Sequence, residues 1–287
     1  TTKRLKGEKE MHLRMLGTGS AFSLKYGQSS MYLADADNPT FNLLIDCGSD
    51  IKHMLDKQKV ALKDVSNIFI SHLHGDHYQG LEYIGFMKYF GIQAKPTLFI
   101  PEELVEELWS GLRPSMENVK GKKLKLDDYF EVFPIKDCFA IPCITKCANA
   151  NISHFVNFKL IKTSHVLGMK SYGLEIRYTN KYDEEVEIVF TGDSNIFDGD
   201  NYNYYHSATI IFHDCETNEF KSGVHAHITD LISLDRNIID KLIFYHYNDN
   251  LIFTPTGQHI TNCSTFSNVE SNMYRLRFAK PGFELHL

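Results

Sequence analysis

The apolar run Val65-Ser66-Asn67-Ile68-Phe69-Ile70 ends in Ser71-His72-Leu73-His74-Gly75-Asp76-His77, which sets His72, His74, Asp76 and His77 within one short turn. A buried strand of this kind must deliver a ligand-dense loop to one end of a sheet. His72 and His74 are two residues apart, so on extended backbone both point to one side, while Gly75 permits a tight turn that sends Asp76 and His77 elsewhere. The two pairs can therefore reach two different cations. A helical zinc signature would space its histidines four apart, and a structural or redox zinc site would lean on CxxC pairs, which this chain lacks. Imidazoles with a carboxylate suit zinc first, with manganese or iron next. The competing interpretation is a polar surface turn that happens to be rich in histidine.

Three later segments repeat the pattern of a strand that ends on a ligand. His165 closes Lys162-Thr163-Ser164-His165, Asp193 closes Phe190-Thr191-Gly192-Asp193, and His246 follows Leu242-Ile243-Phe244-Tyr245. Singly, each reads as a surface histidine or a turn-forming aspartate. Together with the first motif, they point to one site assembled at the ends of several strands.

The rest of the chain predicts the scaffold. Strands are expected at 11–16, leading into Gly17-Thr18-Gly19, and at 29–34 and 41–45, with a turn over 35–39 between the last two. A helix capped by Ser49 should run to about Lys57, and helical pattern resumes over 79–90. A strand at 96–100 and a helix over about 102–109, opened by Pro101, come next. The stretch 129–178 reads as short alternating segments. Further strands are expected at 185–190, 208–212 and 241–245, with a helix opening over 229–234. Strands first and alternation later predict an α/β layered sandwich. Residues 1–10 are charged and unpatterned, and read as a disordered leader or an expression remnant, leaving 11–287 as a single domain.

The 287 residues, 43% of them hydrophobic, suit one large layered domain. A net charge of -6, from 36 acidic and 30 basic residues, argues against a grip on long nucleic acid, which needs a basic face. No signal peptide or long apolar span stands out, so a cytoplasmic protein that does not enter a membrane is expected. Cys47, Cys138, Cys143, Cys147, Cys215 and Cys263 form no disulfide framework. Cys138, Cys143 and Cys147 raise a second zinc site, but without a CxxC pair they read as buried or incidental thiols.

His72-x-His74-x-Asp76-His77 followed by His165, Asp193 and His246, with the opening Leu16-Gly17-Thr18-Gly19-Ser20, resembles the metallo-β-lactamase-fold phosphodiesterases, in the branch that contains the tRNA 3′-processing endonucleases. The resemblance covers about residues 11–248. It implies an αββα sandwich with two metals, His72, His74 and His165 on the first, Asp76, His77 and His246 on the second, and Asp193 bridging them. Lactam-hydrolysing members usually present a cysteine near the bridging position, where this chain has Asp193. A narrower likeness lies in His72-Leu73-His74-Gly75-Asp76-His77-Tyr78-Gln79-Gly80-Leu81-Glu82-Tyr83-Ile84-Gly85-Phe86, in Glu107-Leu108-Trp109, in His213-Asp214-Cys215-Glu216 and in Phe220-Lys221-Ser222-Gly223-Val224-His225-Ala226-His227. These segments are similar to the phage anti-Pycsar proteins and their bacterial relatives. That similarity implies a zinc-dependent homodimer that degrades cyclic pyrimidine and other cyclic mononucleotides.

The chemistry expected of such a site is hydrolysis of a phosphodiester. Two cations roughly 3.5 to 4 Å apart share a water and bring its pKa towards about 7. Opening a cyclic phosphate also needs a proton for the departing ribose oxygen. Alignment of His227-Ile228-Thr229 with the His-x-Thr element of the tRNA endonucleases favours His227 as that acid, with Thr229 capping the next helix; His225 is the alternative. Asp76 completes the expected catalytic set beside its ligand role. Asp46 and Asp214 are expected to accept N–H groups of ligand imidazoles or else to serve in turns. Trp109 and Arg113 read either as a loop that touches a partner subunit or its pocket, or as helix-end packing. Two other functions are open to this sequence. A tRNA-type endoribonuclease is opposed by the acidic balance, by the absence of a Gly/Pro-rich insertion and by Ser23-Leu24-Lys25-Tyr26-Gly27-Gln28 where a basic motif would stand. A module that sequesters nucleotides without cleaving them would have no use for seven metal-capable groups.

Overall fold

The computed structural model describes residues 11–35, 41–147, 150–180, 182–253, 259–261 and 276–286. The expected leader 1–10, the turn residues 36–39 and Cys263 lie outside the described residues. β1 (Met11–Gly17), β2 (Ser30–Asp35) and β3 (Asn42–Ile45) form an antiparallel meander. α1 (Ile51–Lys57) leads to β4 (Asn67–Phe69), and α2 (Gly75–Tyr78) and α3 (Leu81–Phe86) lead to β5 (Thr97–Pro101). After α4 (Val105–Met116) come a small hairpin of β6 (Asn118–Val119) and β7 (Lys122–Lys123), then α5 (Leu126–Tyr129) and β8 (Glu131–Ile135). With β17 (Glu284–His286), these build a sheet in the order β17-β1-β2-β3-β4-β5-β8.

The second sheet begins with β9 (Cys138–Cys147), β10 (Ala150–Thr163), β11 (Ser171–Thr179) and β12 (Glu185–Phe190), each antiparallel to the one before. α6 (Asn203–Ser207) then leads to β13 (Ile210–Asp214), and α7 (Ile228–Leu231) and α8 (Arg236–Ile239) lead to β14 (Leu242–Tyr245). β12, β13 and β14 are parallel, and the order is β14-β13-β12-β11-β10-β9. A separate hairpin pairs β15 (Leu251–Phe253) with β16 (His259–Thr261).

Period-two alternation sorts the apolar residues into two cores. Ile188, Phe190, Phe212, Ile243 and Tyr245 face the first sheet and join Leu13, Met15, Ile45 and Phe69 between the sheets. Their neighbours Val189, Ile211, Leu242 and Phe244 face the other way and pack under Tyr205, Ile228, Leu231 and Ile238 of α6, α7 and α8. α1, α3 and α4 cover the outer side of the first sheet through Leu55, Ile84 and Leu108. The result is the expected helix–sheet–sheet–helix layering.

Several local expectations are revised. Asp50, not Ser49, precedes α1, and no side chain caps it. The helical stretch expected over 79–90 breaks at Gly80 and ends in a π-helical segment, Met87–Ile92. The helix expected to stop at Trp109 continues through Pro114 to Met116, because Leu108, Leu112 and Met116 keep one apolar face on the core. The middle third forms three long strands, β9 to β11, rather than short segments. Cys138 and Cys143 lie five apart on β9, an odd spacing that puts them on opposite faces; Cys138 is exposed and the buried Cys143 thiol donates to Asp35 Oδ2 at 3.0 Å.

Candidate metal centre

Most of the chemically notable side chains emerge at the C-terminal end of a strand, while Asp76 and His77 lie on α2 and His225 in the loop before α7. β3 gives Asp46, β4 gives His72 and His74, β10 gives His165, β12 gives Asp193, β13 gives Asp214 and β14 gives His246. Adjacent parallel strands bring those ends together, the usual place for a site in a layered α/β protein. Close backbone approach holds the first turn down: Cys47 N–H donates to His77 O at 2.7 Å and Gly80 N–H to Cys47 O at 2.9 Å. A Cβ on Gly48 would sit 2.2 Å from Asp76 O, so only glycine fits there. Two non-glycine residues at the site carry left-handed backbone, Asp46 at φ 61° and His246 at φ 62°. Such conformations cost on the order of 1–3 kcal/mol and persist only where surrounding contacts fix them. Here Asp46 N–H donates to Phe69 O at 2.8 Å and His246 N–H to Thr18 O at 2.8 Å.

Two donor groups result. In the first, His74 Nδ1 lies 3.1 Å from His72 Nε2 and 3.2 Å from His165 Nε2, with Asp193 Oδ2 3.8 and 3.9 Å from those two Nε2 atoms. In the second, Asp76 Oδ2 lies 3.2 Å from His77 Nε2 and 3.4 Å from His246 Nε2, and Asp193 Oδ2 is 3.3 Å from both nitrogens. A tetrahedron with metal–ligand bonds of about 2.0–2.1 Å has donor–donor edges of about 3.3–3.4 Å, so both groups have the dimensions of a cation cage. The buried His77 Nε2 and Asp193 Oδ1 make no hydrogen bond among the described residues, which protein interiors rarely tolerate without an unseen partner. All seven sequence-derived ligands, His72, His74, Asp76, His77, His165, Asp193 and His246, are thus brought together, Asp193 belonging to both groups.

Charge is distributed unequally. Burial works against ionised carboxylates, yet His77 beside Asp76, and His246 and His77 beside Asp193, hold both acids well below the usual carboxylate range. Burial likewise opposes charge on His77 and His246, but Asp193 and the other carboxylates override it and push both pKa values up. In the first group burial wins, and His72, His74 and His165 are all lowered.

Beyond the shared Asp193 and the second group's Asp76, the groups behind the imidazoles add to this difference. His77 Nδ1 donates to Asp46 Oδ2 at 2.7 Å, and Asp46 also accepts from Ser71 N–H and Ser71 Oγ, each at 2.8 Å. His246 Nδ1 approaches Asp214 Oδ1 at 3.4 Å. His72 Nδ1 instead meets the Ser71 hydroxyl at 3.0 Å, and His165 Nδ1 donates to the Val224 carbonyl at 2.8 Å.

Of the two candidate acids, His225 lies at the centre. Its ring centroid is 4.8 Å from those of His165 and His246, and its Nδ1 donates to Asp214 Oδ2 at 2.6 Å. Burial disfavours its charged form, but Asp214 outweighs that and raises its pKa. His227, favoured by sequence, sits elsewhere: its Nε2 donates to Asn218 O at 2.8 Å, while its Nδ1 accepts from Thr229 Oγ1 at 2.7 Å and Thr229 N–H at 3.3 Å. It is 2% exposed, and it, not Thr229, caps α7. Trp109 and Arg113 lie on α4 rather than in a loop; Trp109 packs against the main core and Arg113 is exposed. Ser71 and the Val224 carbonyl, which orient His72 and His165, carry no sequence signal.

The anti-Pycsar protein Apyc1 family model matches residues 11–262. The chain belongs to the anti-Pycsar Apyc1 family. Among its anti-Pycsar relatives, the protein of Bacillus phage vB_BsuM-Goe3 is 35% identical over 96% of this chain and 98% of its own length. Solved structures show the same fold at low identity. The metallo-β-lactamase fold protein YhfI from Bacillus subtilis superposes with a TM-score of 0.64 at 16% identity, covering 97% of this chain and all of the other. The short form of human tRNase Z gives 0.61 at 16% identity over 96% and 98%. This anti-Pycsar family member therefore has the metallo-β-lactamase fold that its ligand order implied.

Proposed function

We propose that the chain is a metal-dependent phosphodiesterase that opens the phosphate ring of cyclic mononucleotides, cyclic CMP and cyclic UMP among them, and so evades or switches off cyclic-nucleotide antiphage signalling. One observation carries this reading in a member of the anti-Pycsar family: Asp193 Oδ2 lies within 3.9 Å of imidazole nitrogens from both donor groups. His72, His74 and His165 would hold one cation and Asp76, His77 and His246 a second, with Asp193 shared. Two Zn2+ are the first choice for these donors, and Mn2+ or Fe2+ the next. When bound, such a pair supplies a water activated near neutral pH and offsets negative charge on the phosphate.

The protein's own residues do the rest. Asp214 fixes the His225 ring through Nδ1 and favours its protonated form, leaving Nε2 to give a proton to the departing ribose oxygen. His227 shapes the start of α7 and the loop before it. Asp46 orients His77 and makes it a better donor. The active species is assigned as a cytoplasmic homodimer, in the host's cytoplasm if the chain is phage-encoded. Among the described residues no helix is long and apolar enough to cross a membrane. Chromatography of cyclic mononucleotides, cyclic dinucleotides and pre-tRNA after incubation, with and without chelator, tests the reading. Linear nucleoside monophosphates should appear only without chelator; cyclic mononucleotides recovered intact, or pre-tRNA cleaved in their place, would overturn it.

A further inference from the structure

Four large apolar side chains stand almost wholly in water on the loops next to the candidate ligands: Phe22 at 92% exposure, Leu24 at 94%, Leu167 fully exposed and Phe220 at 81%. Their backbones are fastened to the ligand-bearing segments. Ser20 N–H donates to the carbonyl of Tyr247, the neighbour of His246, at 3.1 Å. Asp249 accepts from Ser23 Oγ at 2.6 Å and from Leu24 N–H at 2.9 Å, and its carbonyl accepts from Lys25 Nζ at 2.9 Å. The Phe220 loop is laced to the same segment, as Thr217 N–H donates to Asn248 Oδ1 at 3.0 Å and Asn250 Nδ2 to Thr217 O at 2.6 Å, and it is closed on itself where Ser222 N–H donates to Glu216 Oε2 at 2.8 Å. Its far end meets the third loop, where His165 Nδ1 donates to Val224 O and Asn195 Nδ2 to Gly223 O at 3.1 Å. Leu167 is two residues past His165, at most about 7 Å of chain.

We infer that this rim, with Phe22 and Phe220 as its aromatic members, takes the nucleobase of the substrate. The inference rests on the cyclic-mononucleotide reading. Cations held by these carboxylates and imidazoles would engage the phosphate, which leaves the base to be met by the loops that frame the site. A base needs an apolar face held still, and stacking accepts any base because each has a π-face. The rim meets that need: its side chains stand in solvent while its backbone is tied down by part-buried and exposed amide and carboxylate contacts. The four residues come from three separate loops, so they make no continuous strip of the kind a helix or strand would dock against. The other exposed large apolar residues, such as Met87, Phe90, Phe133 and Phe155, sit on the 87–92 helix, on β8 and in the half of β10 remote from His165.

The test is steady-state kinetics of Phe22→Ala, Phe220→Ala and the double variant on cyclic CMP, cyclic UMP and the abasic cyclic ribose phosphate, with light scattering of each protein. Each single change should raise KM for the nucleotides about tenfold, the size of one lost base–aromatic stack, with kcat altered less than about twofold. Phe220→Tyr should restore the low KM and Phe220→Leu should not. The abasic diester should be handled alike by all the proteins. KM unchanged in the double variant, an equal loss on the abasic diester, or a loss that follows dissociation of subunits would each overturn the assignment. An unaltered chain that cleaves cyclic nucleotides beside unaffected variants removes the rim alone; an unaltered chain that cleaves only the abasic diester removes the functional reading and the base contact with it.

Discussion

The two halves of the metal centre are built from similar ligands on different supports. His77 and His246 are backed by carboxylates, Asp46 and Asp214, whereas His72 and His165 are backed by a serine hydroxyl and a backbone carbonyl; Asp193, with these carboxylates, raises the first two pKa values, while burial lowers the other two. A carboxylate behind an imidazole raises its basicity and fixes its tautomer. The second half should therefore hold its cation more tightly, while the first half, with the half-buried His74, stays more exchangeable.

The largest effect should come from the residue that both halves share. Asp193→Ala should lower metal content in both halves and cut turnover by more than about a thousandfold, as several kcal/mol of charge stabilisation are withdrawn. Loss of one ion with activity kept would show that the halves are independent. Next, His225→Ala should reduce turnover by about 10²–10⁴ with metal content intact. His227→Ala should leave the chemistry near normal and cost about 1 kcal/mol of stability through its cap. The reverse order in single-turnover assays would restore His227 as the acid.

Asp46→Asn bears on the contrast itself. It should weaken one of two metal affinities about 10- to 100-fold and the other by less than about tenfold, both read by competition with a chromophoric chelator. Equal losses would erase the distinction. An effect on stability rather than on turnover is expected at the support of Asp214. Phe197 N–H donates to Tyr205 Oη at 3.0 Å, Tyr205 Oη meets His213 Nε2 at 2.7 Å, and His213 Nδ1 donates to Asp214 O at 2.7 Å. Burial depresses the His213 pKa from 6.5 to about 4. The neutral ring thus contributes stability above pH 6.5 that is lost as pH falls through about 4, up to about 3 kcal/mol. Chemical denaturation of His213→Asn between pH 6.5 and 4 should show a flatter decline than the unaltered chain; parallel curves would contradict it.

The ligands were legible because strand chemistry is local. An apolar run that stops at a histidine or at Gly-Asp marks a strand end, and parallel strands bring such ends together. The choice between His225 and His227 was not legible, since the two lie only two residues apart in one short segment. Long-range contacts decide it: Glu216 N–H donates to Ala226 O, Ala226 N–H to Ser194 O, and the chain turns into α7 at His227. The left-handed backbone at Asp46 and His246 was hidden for the same reason, because only tertiary contacts hold non-glycine residues there. The β9 to β11 strands were under-read because Lys159 and Lys162 interrupt the apolar pattern on faces left to solvent.

Elemental analysis of the zinc-reconstituted, desalted protein beside its Asp193→Ala variant addresses the two-cation centre most directly. The account predicts two transition-metal ions per chain and fewer than one in the variant. One ion or none in the unaltered chain, or the same content in both proteins, would contradict it.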